Sequence, residues 1–208
     1  MRRTRLALAV CLIPAQARAH DAFGDLGPFY ESFLHPLADP LQAALLIGMT
    51  SLLARQSLRL VQYALPLFCG AALVSHLALN WYLGAVAPTT VLAWGAVVCG
   101  ASAVVPLRTI PRILVLGVVI AAGICVGAAP GSASAGSVWQ LLLGTVSGIA
   151  VFAILSWTAL DTLSRHVSPV APSVAGAWVV AIGLMAAALE TGASQMGPPD
   201  DIENEGGA

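Results

Sequence analysis

Long apolar segments alternate with short polar or Pro/Gly-containing breaks along most of the chain. We predict six transmembrane helices, at 40–55, 61–83, 88–106, 111–129, 138–160 and 173–192. Each is close to the roughly 20 residues that cross the ~30 Å hydrocarbon core of a bilayer. Strand-like alternation is absent, and helices are the expected spanning form where no water satisfies the backbone. The pattern predicts an all-α, polytopic transmembrane bundle of about six spans over residues 40–192.

The first nineteen residues have a different pattern, typical of a secretory signal peptide (1–19). MRRTR is a positive n-region, LALAVCLIP a short apolar core, and AQARA a cleavage site of small residues. The apolar core is too short to span a membrane. We expect cleavage after Ala19, which makes His20 the first residue of the mature chain. Lipidation at Cys11 and an uncleaved anchor are the weaker alternatives.

Arginine positions predict the orientation of the helices. The arginines that remain after cleavage all follow the first, third or fifth helix: Arg55, Arg59, Arg108, Arg112 and Arg165. The alternate loops, 84–87 and 130–137, contain neither Lys nor Arg. Because positive loops stay in the cytoplasm, the external N-terminal segment (20–39) and the acidic tail (193–208) should both lie outside. This agrees with the secretory signal and predicts a bacterial inner-membrane protein with both termini in the periplasm.

Composition narrows the function further. The chain is 58% hydrophobic and 9% charged, with a mean hydropathy of +0.87, whereas a soluble domain carries roughly 25% charged residues. We therefore predict that the chain lies in the lipid bilayer. It has no basic stripe of the kind that binds nucleic acid, so we predict no nucleic-acid partner. There is no Walker loop, no GxSxG and no HExxH motif, so we predict no enzyme activity and no firm cofactor. A homo-oligomer stays an open option.

Two glycine pairs indicate close helix packing. Gly123 and Gly127 are four residues apart, as are Gly144 and Gly148, so each pair lies on one helix face. Small residues at this spacing let two helix backbones approach each other inside a membrane. Such pairs predict packing and say little about function.

The external segment 20–39 carries the most promising chemistry. Its histidines and acidic residues are His20, Asp21, Asp25, Glu31, His35 and Asp39. Imidazole and carboxylate together suit borderline divalent cations such as nickel, zinc or cobalt. An N-terminal histidine adds a chelate formed by its amino and ring nitrogens. We take His20, Asp21, His35 and Asp39 as candidate metal ligands.

Asp39 has a competing interpretation. Asp39-Pro40 has the form of a helix N-cap followed by proline at the first helical position, which needs no metal. If residues 36–40 are helical instead, His35 and Asp39 lie four apart on one face. We favour the cap and keep the ligand as the alternative.

His76 is the fifth candidate ligand and lies within the second predicted span. Cys69, His76 and Asn80 are spaced by seven and four residues and share one helical face. Ionisable residues in a span often line a pathway. A neutral His76 that is hydrogen-bonded to Asn80 or to a neighbouring helix explains the pattern equally well.

These features together resemble the HupE/UreJ family. The resemblance rests on the N-terminal histidine, on His35-Pro36, on His76 in the second span and on about six helices. It implies a small membrane permease that takes up a divalent transition metal, nickel or cobalt, to supply urease or hydrogenase. The family's motif continues from His-Pro to an Asp-His pair, where this chain has Leu41 and Gln42. The alternative is therefore a non-transporting accessory or assembly protein of the same family that has lost its transport ligands.

Overall fold

The computed structural model describes residues 26–84, 86–106, 111–129 and 137–195. These residues form seven α-helices and no strand: α1 (Pro28–Ala38), α2 (Pro40–Ala54), α3 (Leu58–Ser75), α4 (Thr89–Val104), α5 (Arg112–Ala128), α6 (Val138–His166) and α7 (Ala171–Gln195). A π-helical segment, His76–Leu83, continues α3. The predicted all-α class is confirmed.

Each of the six predicted helices overlaps one observed helix, α2 to α7, with ends that differ by a few residues. The largest difference is at the end of α6, which continues to His166 instead of stopping near residue 160. There Arg165 Nε lies 2.9 Å from Asp161 Oδ2, an i,i+4 pair of the kind that supports an exposed helix end.

Among the described residues, helix lengths do not confirm six complete spans. Three helical stretches, Leu58–Leu79, Val138–His166 and Ala171–Gly192, are each long and apolar enough to cross a membrane. Helices α1 and α2 pass this test together, but they are bent by 67° at their junction, as in a broken span or a re-entrant loop. Helices α4 and α5 are apolar but have 16 and 17 residues. The count of six spans therefore stays a prediction.

Helix α2 lies at the centre of the bundle and contacts α1, α4, α5, α6 and α7. It is apolar on every side and almost entirely buried, as expected for an interior helix. Its buried hydroxyls are satisfied within the helix, since Thr50 Oγ1 donates to the Leu46 carbonyl (2.8 Å) and Ser51 Oγ to the Ile47 carbonyl (2.6 Å). The core therefore accepts these polar residues without a partner from another helix.

Glycines bring the surrounding helices into backbone contact. A Cβ atom added to Gly123 of α5 would lie 2.6 Å from the Phe68 carbonyl oxygen of α3, and one added to Gly144 of α6 would lie 2.5 Å from the Phe29 carbonyl oxygen of α1. Gly127 and Gly148 meet the backbones of the same two partner helices. The predicted close packing at both glycine pairs is confirmed.

Helix α1 is the element that the hydrophobic pattern does not predict. It begins at Pro28, directly after Gly27, whose positive φ of 82° suits glycine. It packs along α6, where the rings of Phe33 and Phe152 have centroids 5.7 Å apart. Part of the predicted external segment 20–39 is thus a helix held against the bundle, and its position outside the membrane stays a prediction.

Arg55, at the end of α2, ties the opposite end of the bundle together. Its NH1 donates hydrogen bonds to the carbonyls of Ala103 and Val105, the latter at 2.9 Å. These carbonyls belong to the C-terminal end of α4, where a cation complements the helix dipole. Ser173 Oγ of α7 also donates to the Ala103 carbonyl, at 3.3 Å. Helices α2, α4 and α7 therefore meet at one polar contact.

Candidate metal centre

Asp39 occupies the junction between α1 and α2 and caps the central helix. Its Oδ1 accepts hydrogen bonds from the backbone N–H of Leu41 at 2.9 Å and of Gln42 at 3.4 Å. Pro40 stands at the first helical position, where its missing N–H costs nothing. The backbone of Asp39 is extended, with φ −82° and ψ 113°, and its N–H donates to the His35 carbonyl at 3.0 Å, so Asp39 closes the last turn of α1 and begins α2. The favoured N-cap interpretation is confirmed.

Gln42 connects Asp39 to His35. The side chain of Gln42 is 2% exposed, and its Nε2 lies 2.9 Å from Asp39 Oδ2 and 3.4 Å from His35 Nδ1. A carboxylate only accepts hydrogen bonds, so the amide must turn its NH2 group toward Asp39. For the 3.4 Å contact with His35 to be a hydrogen bond, the second N–H must donate to Nδ1, and a neutral imidazole then carries its proton on Nε2. The structure therefore brings His35 and Asp39 together through Gln42.

The cluster of His35, Asp39 and Gln42 also contains donor atoms that suit a metal ion. An imidazole lone pair and a carboxylate oxygen converge on one point, and the partly positive NH2 group of Gln42 fills it. Imidazole nitrogen and carboxylate oxygen are also the donors that nickel and cobalt accept. Asp39 offers Oδ1 to the helix N-terminus and Oδ2 to this cluster. Its two predicted roles, cap and ligand, are thus compatible in one side chain.

His76 lies at a second polar position, where α3 passes into its π-helical continuation. Its Nδ1 is 3.2 Å from the carbonyl oxygen of Gly127 on α5. A carbonyl only accepts, so Nδ1 carries a proton and donates it to Gly127. The preceding residue, Ser75, donates to the Ile124 carbonyl at 2.8 Å. Interhelical bonding of His76 is confirmed, and π-helical segments recur at functional sites.

The candidate ligands do not all meet. Within the described ranges, no three His, Cys, Asp or Glu side chains converge closely enough to hold a metal ion. His35 and Asp39 share one cluster and His76 does not complete it, while His20 and Asp21 lie outside the described residues. From the sequence, Gln42 was only a departure from the family's Asp-His pair. Its signal was a polar side chain near the start of an apolar helix.

Comparison with known proteins places the chain in a family. The family model described as HupE / UreJ protein matches residues 8–186, which includes α1 to α6 and most of α7. The comparisons with curated proteins and with solved structures gave no match. The match spans far more than half of the chain and contains both polar positions described above. The protein, an all-α bundle with several membrane-length apolar helices, belongs to the HupE/UreJ family of membrane proteins.

Proposed function

We propose that the protein is a membrane permease that takes up a divalent transition metal, with nickel as the leading candidate and cobalt as the next. The metal would supply a metalloenzyme such as urease or hydrogenase. The observation that carries the proposal is the convergence of His35 and Asp39 on one point at the N-terminal end of the central helix. Membership of the HupE/UreJ family supports the same class of cargo.

The position of the cluster suits the entrance of a path. It lies at the end of α2 opposite to Arg55, and the arginine distribution predicts that this end faces the periplasm. The N-terminal His20 would add its amino and ring nitrogens, and Asp21 its carboxylate, to the metal held by His35 and Asp39. His76, which contacts the Gly127 carbonyl through Nδ1, would be a further ligand for a metal moving along the bundle.

An accessory or assembly protein without transport activity is the second candidate function. It is favoured by one observation, the absence of any three-ligand group among the described His, Cys, Asp and Glu side chains. A complete transport site would then require donors from His20 and Asp21 or from the amide of Gln42. The two functions differ in one measurable quantity, the net movement of metal across the membrane.

Replacing His35 by alanine is expected to lower cellular uptake of radioactive nickel at least about tenfold. Loss of even a residue that only supports a metal ligand typically lowers metal affinity or activity about 10–100-fold. His166→Ala is the matched control. His166 is an exposed histidine at the far end of α6, with its Nδ1 3.0 Å from the Thr162 carbonyl. This control should take up nickel like the wild type. Uptake is normalised to the amount of protein in the membrane.

Two results would contradict this proposal, the first its transport activity and the second its metal site. One is wild-type uptake equal to that of cells with an empty vector, for both nickel and cobalt. The other is equal uptake by wild type and His35→Ala at equal protein levels. The first result would leave the accessory function standing, and the second would move the site away from the cluster.

A further inference from the structure

Gln42 is an unusual residue in its surroundings. It is 2% exposed and follows the N-terminus of a helix whose other buried side chains are mostly apolar. A buried amide must find hydrogen-bond partners or destabilise the fold. Gln42 finds them in Asp39 Oδ2 and His35 Nδ1, at 2.9 Å and 3.4 Å. The longer bond is the weaker one, so the imidazole can exchange this partner at low cost.

The amide can present either of two atoms to the same point. With no cation present, its oxygen would face the Asp39 carboxylate and be repelled, so NH2 is turned inward. With a divalent cation between His35 and Asp39, the NH2 group would be repelled. Rotation of the terminal amide then places Oε1 at the cation. The bound set becomes one imidazole nitrogen, one carboxylate oxygen and one amide oxygen.

This set has consequences for the choice of metal. Imidazole favours nickel, copper and zinc, whereas carboxylate and carbonyl oxygens suit manganese and magnesium. A single imidazole among oxygen donors therefore discriminates less strongly between nickel and manganese than a site with two imidazoles. The residue at position 42 supplies the donor that makes this difference.

We infer that Gln42 is the specificity-determining residue of the cluster, and that its amide reverses when a divalent metal binds between His35 and Asp39. The inference rests on the proposed function, because it takes this cluster as the metal-binding site. It assigns a role to Gln42, which is not among the candidate ligands predicted from the sequence. It also sets the cargo class, which is divalent metals that accept oxygen-rich coordination and not nickel alone.

The test is calorimetric titration of the purified full-length protein in detergent with Ni²⁺ and, separately, with Mn²⁺. Gln42→His should raise the ratio of nickel to manganese affinity at least about tenfold, since it adds a second imidazole. Gln42→Glu keeps the size of the side chain and offers a charged oxygen, so it should lower that ratio. Gln62→His is the matched control, because Gln62 is exposed on α3. It should leave the ratio at the wild-type value.

Each outcome decides the inference. Opposite shifts in the Gln42→His and Gln42→Glu variants support it, and if one variant fails to fold, the shift in the other decides. An unchanged ratio in folded Gln42 variants overturns it, while the permease stands if uptake still depends on His35. A folded wild-type protein that binds neither metal overturns both proposals.

Discussion

Gly127→Ala is expected to lower the free energy of unfolding by about 3 kcal/mol, near the upper end of the usual cost of overpacking. The new methyl group would enter the backbone of Ala72 on α3, and neither helix can give way without losing its neighbours. The carbonyl of Gly127 also pairs with His76 Nδ1, so a shift of α5 would weaken that contact as well. Unfolding by denaturing detergent, followed by circular dichroism, measures the change.

Gly117→Ala provides the matched control on the same helix. A Cβ atom at Gly117 would meet no side chain and no other helix within 4 Å, so the substitution adds no clash. Alanine has a better helix propensity than glycine by about 1 kcal/mol, and the variant should be as stable as the wild type or slightly more so. Equal losses of stability in both variants would show that the contact between α3 and α5 is not formed as described.

Asp39→Asn is expected to separate the two roles of Asp39. Asparagine caps a helix about as well as aspartate, and its amide can still bond Gln42 once the Gln42 amide turns. Stability should therefore stay within about 0.5 kcal/mol of the wild type. Nickel uptake should fall about tenfold, because the charged oxygen that contacts Gln42 in the cluster is lost. Uptake and unfolding are measured on the same preparations.

Asp39→Ala is the companion variant and should lose both properties. It removes the cap, at a cost of about 1 kcal/mol, and it leaves the buried Gln42 amide without its best partner, at about 1–3 kcal/mol. Full uptake by Asp39→Asn would show that Asp39 is a cap and nothing more. A stable Asp39→Ala variant would show that the junction between α1 and α2 does not depend on the cap.

The helices of the bundle could be predicted from sequence because local rules determine them. Apolar runs bounded by proline, glycine and arginine place α2 to α7 within a few residues of their observed ends. The cap at Asp39-Pro40 is also local, since it needs only the chemistry of adjacent residues. The glycine spacing predicts close packing in the same way. Which helix each glycine pair contacts depends on the tertiary fold, and the spacing of the glycines does not predict it.

Helix α1 and the role of Gln42 depend on contacts that the sequence pattern does not encode. Glu31, His35 and Pro36 interrupt the apolar pattern of α1, and the helix is held by ring packing of Phe33 against α6. His35 and Gln42 meet because the chain bends by 67° between them. In one continuous helix, residues seven apart are separated by about two turns along the axis, which is too far for this contact.

The most direct measurement of the central claim is the movement of radioactive nickel into sealed lipid vesicles that contain the purified protein. The permease predicts accumulation over time inside vesicles with wild-type protein, and at least about tenfold slower accumulation with His35→Ala. Release of the label by a detergent confirms that it was enclosed. Accumulation by folded wild-type protein equal to that of protein-free vesicles, with both nickel and cobalt, would contradict the claim and leave a non-transporting accessory protein.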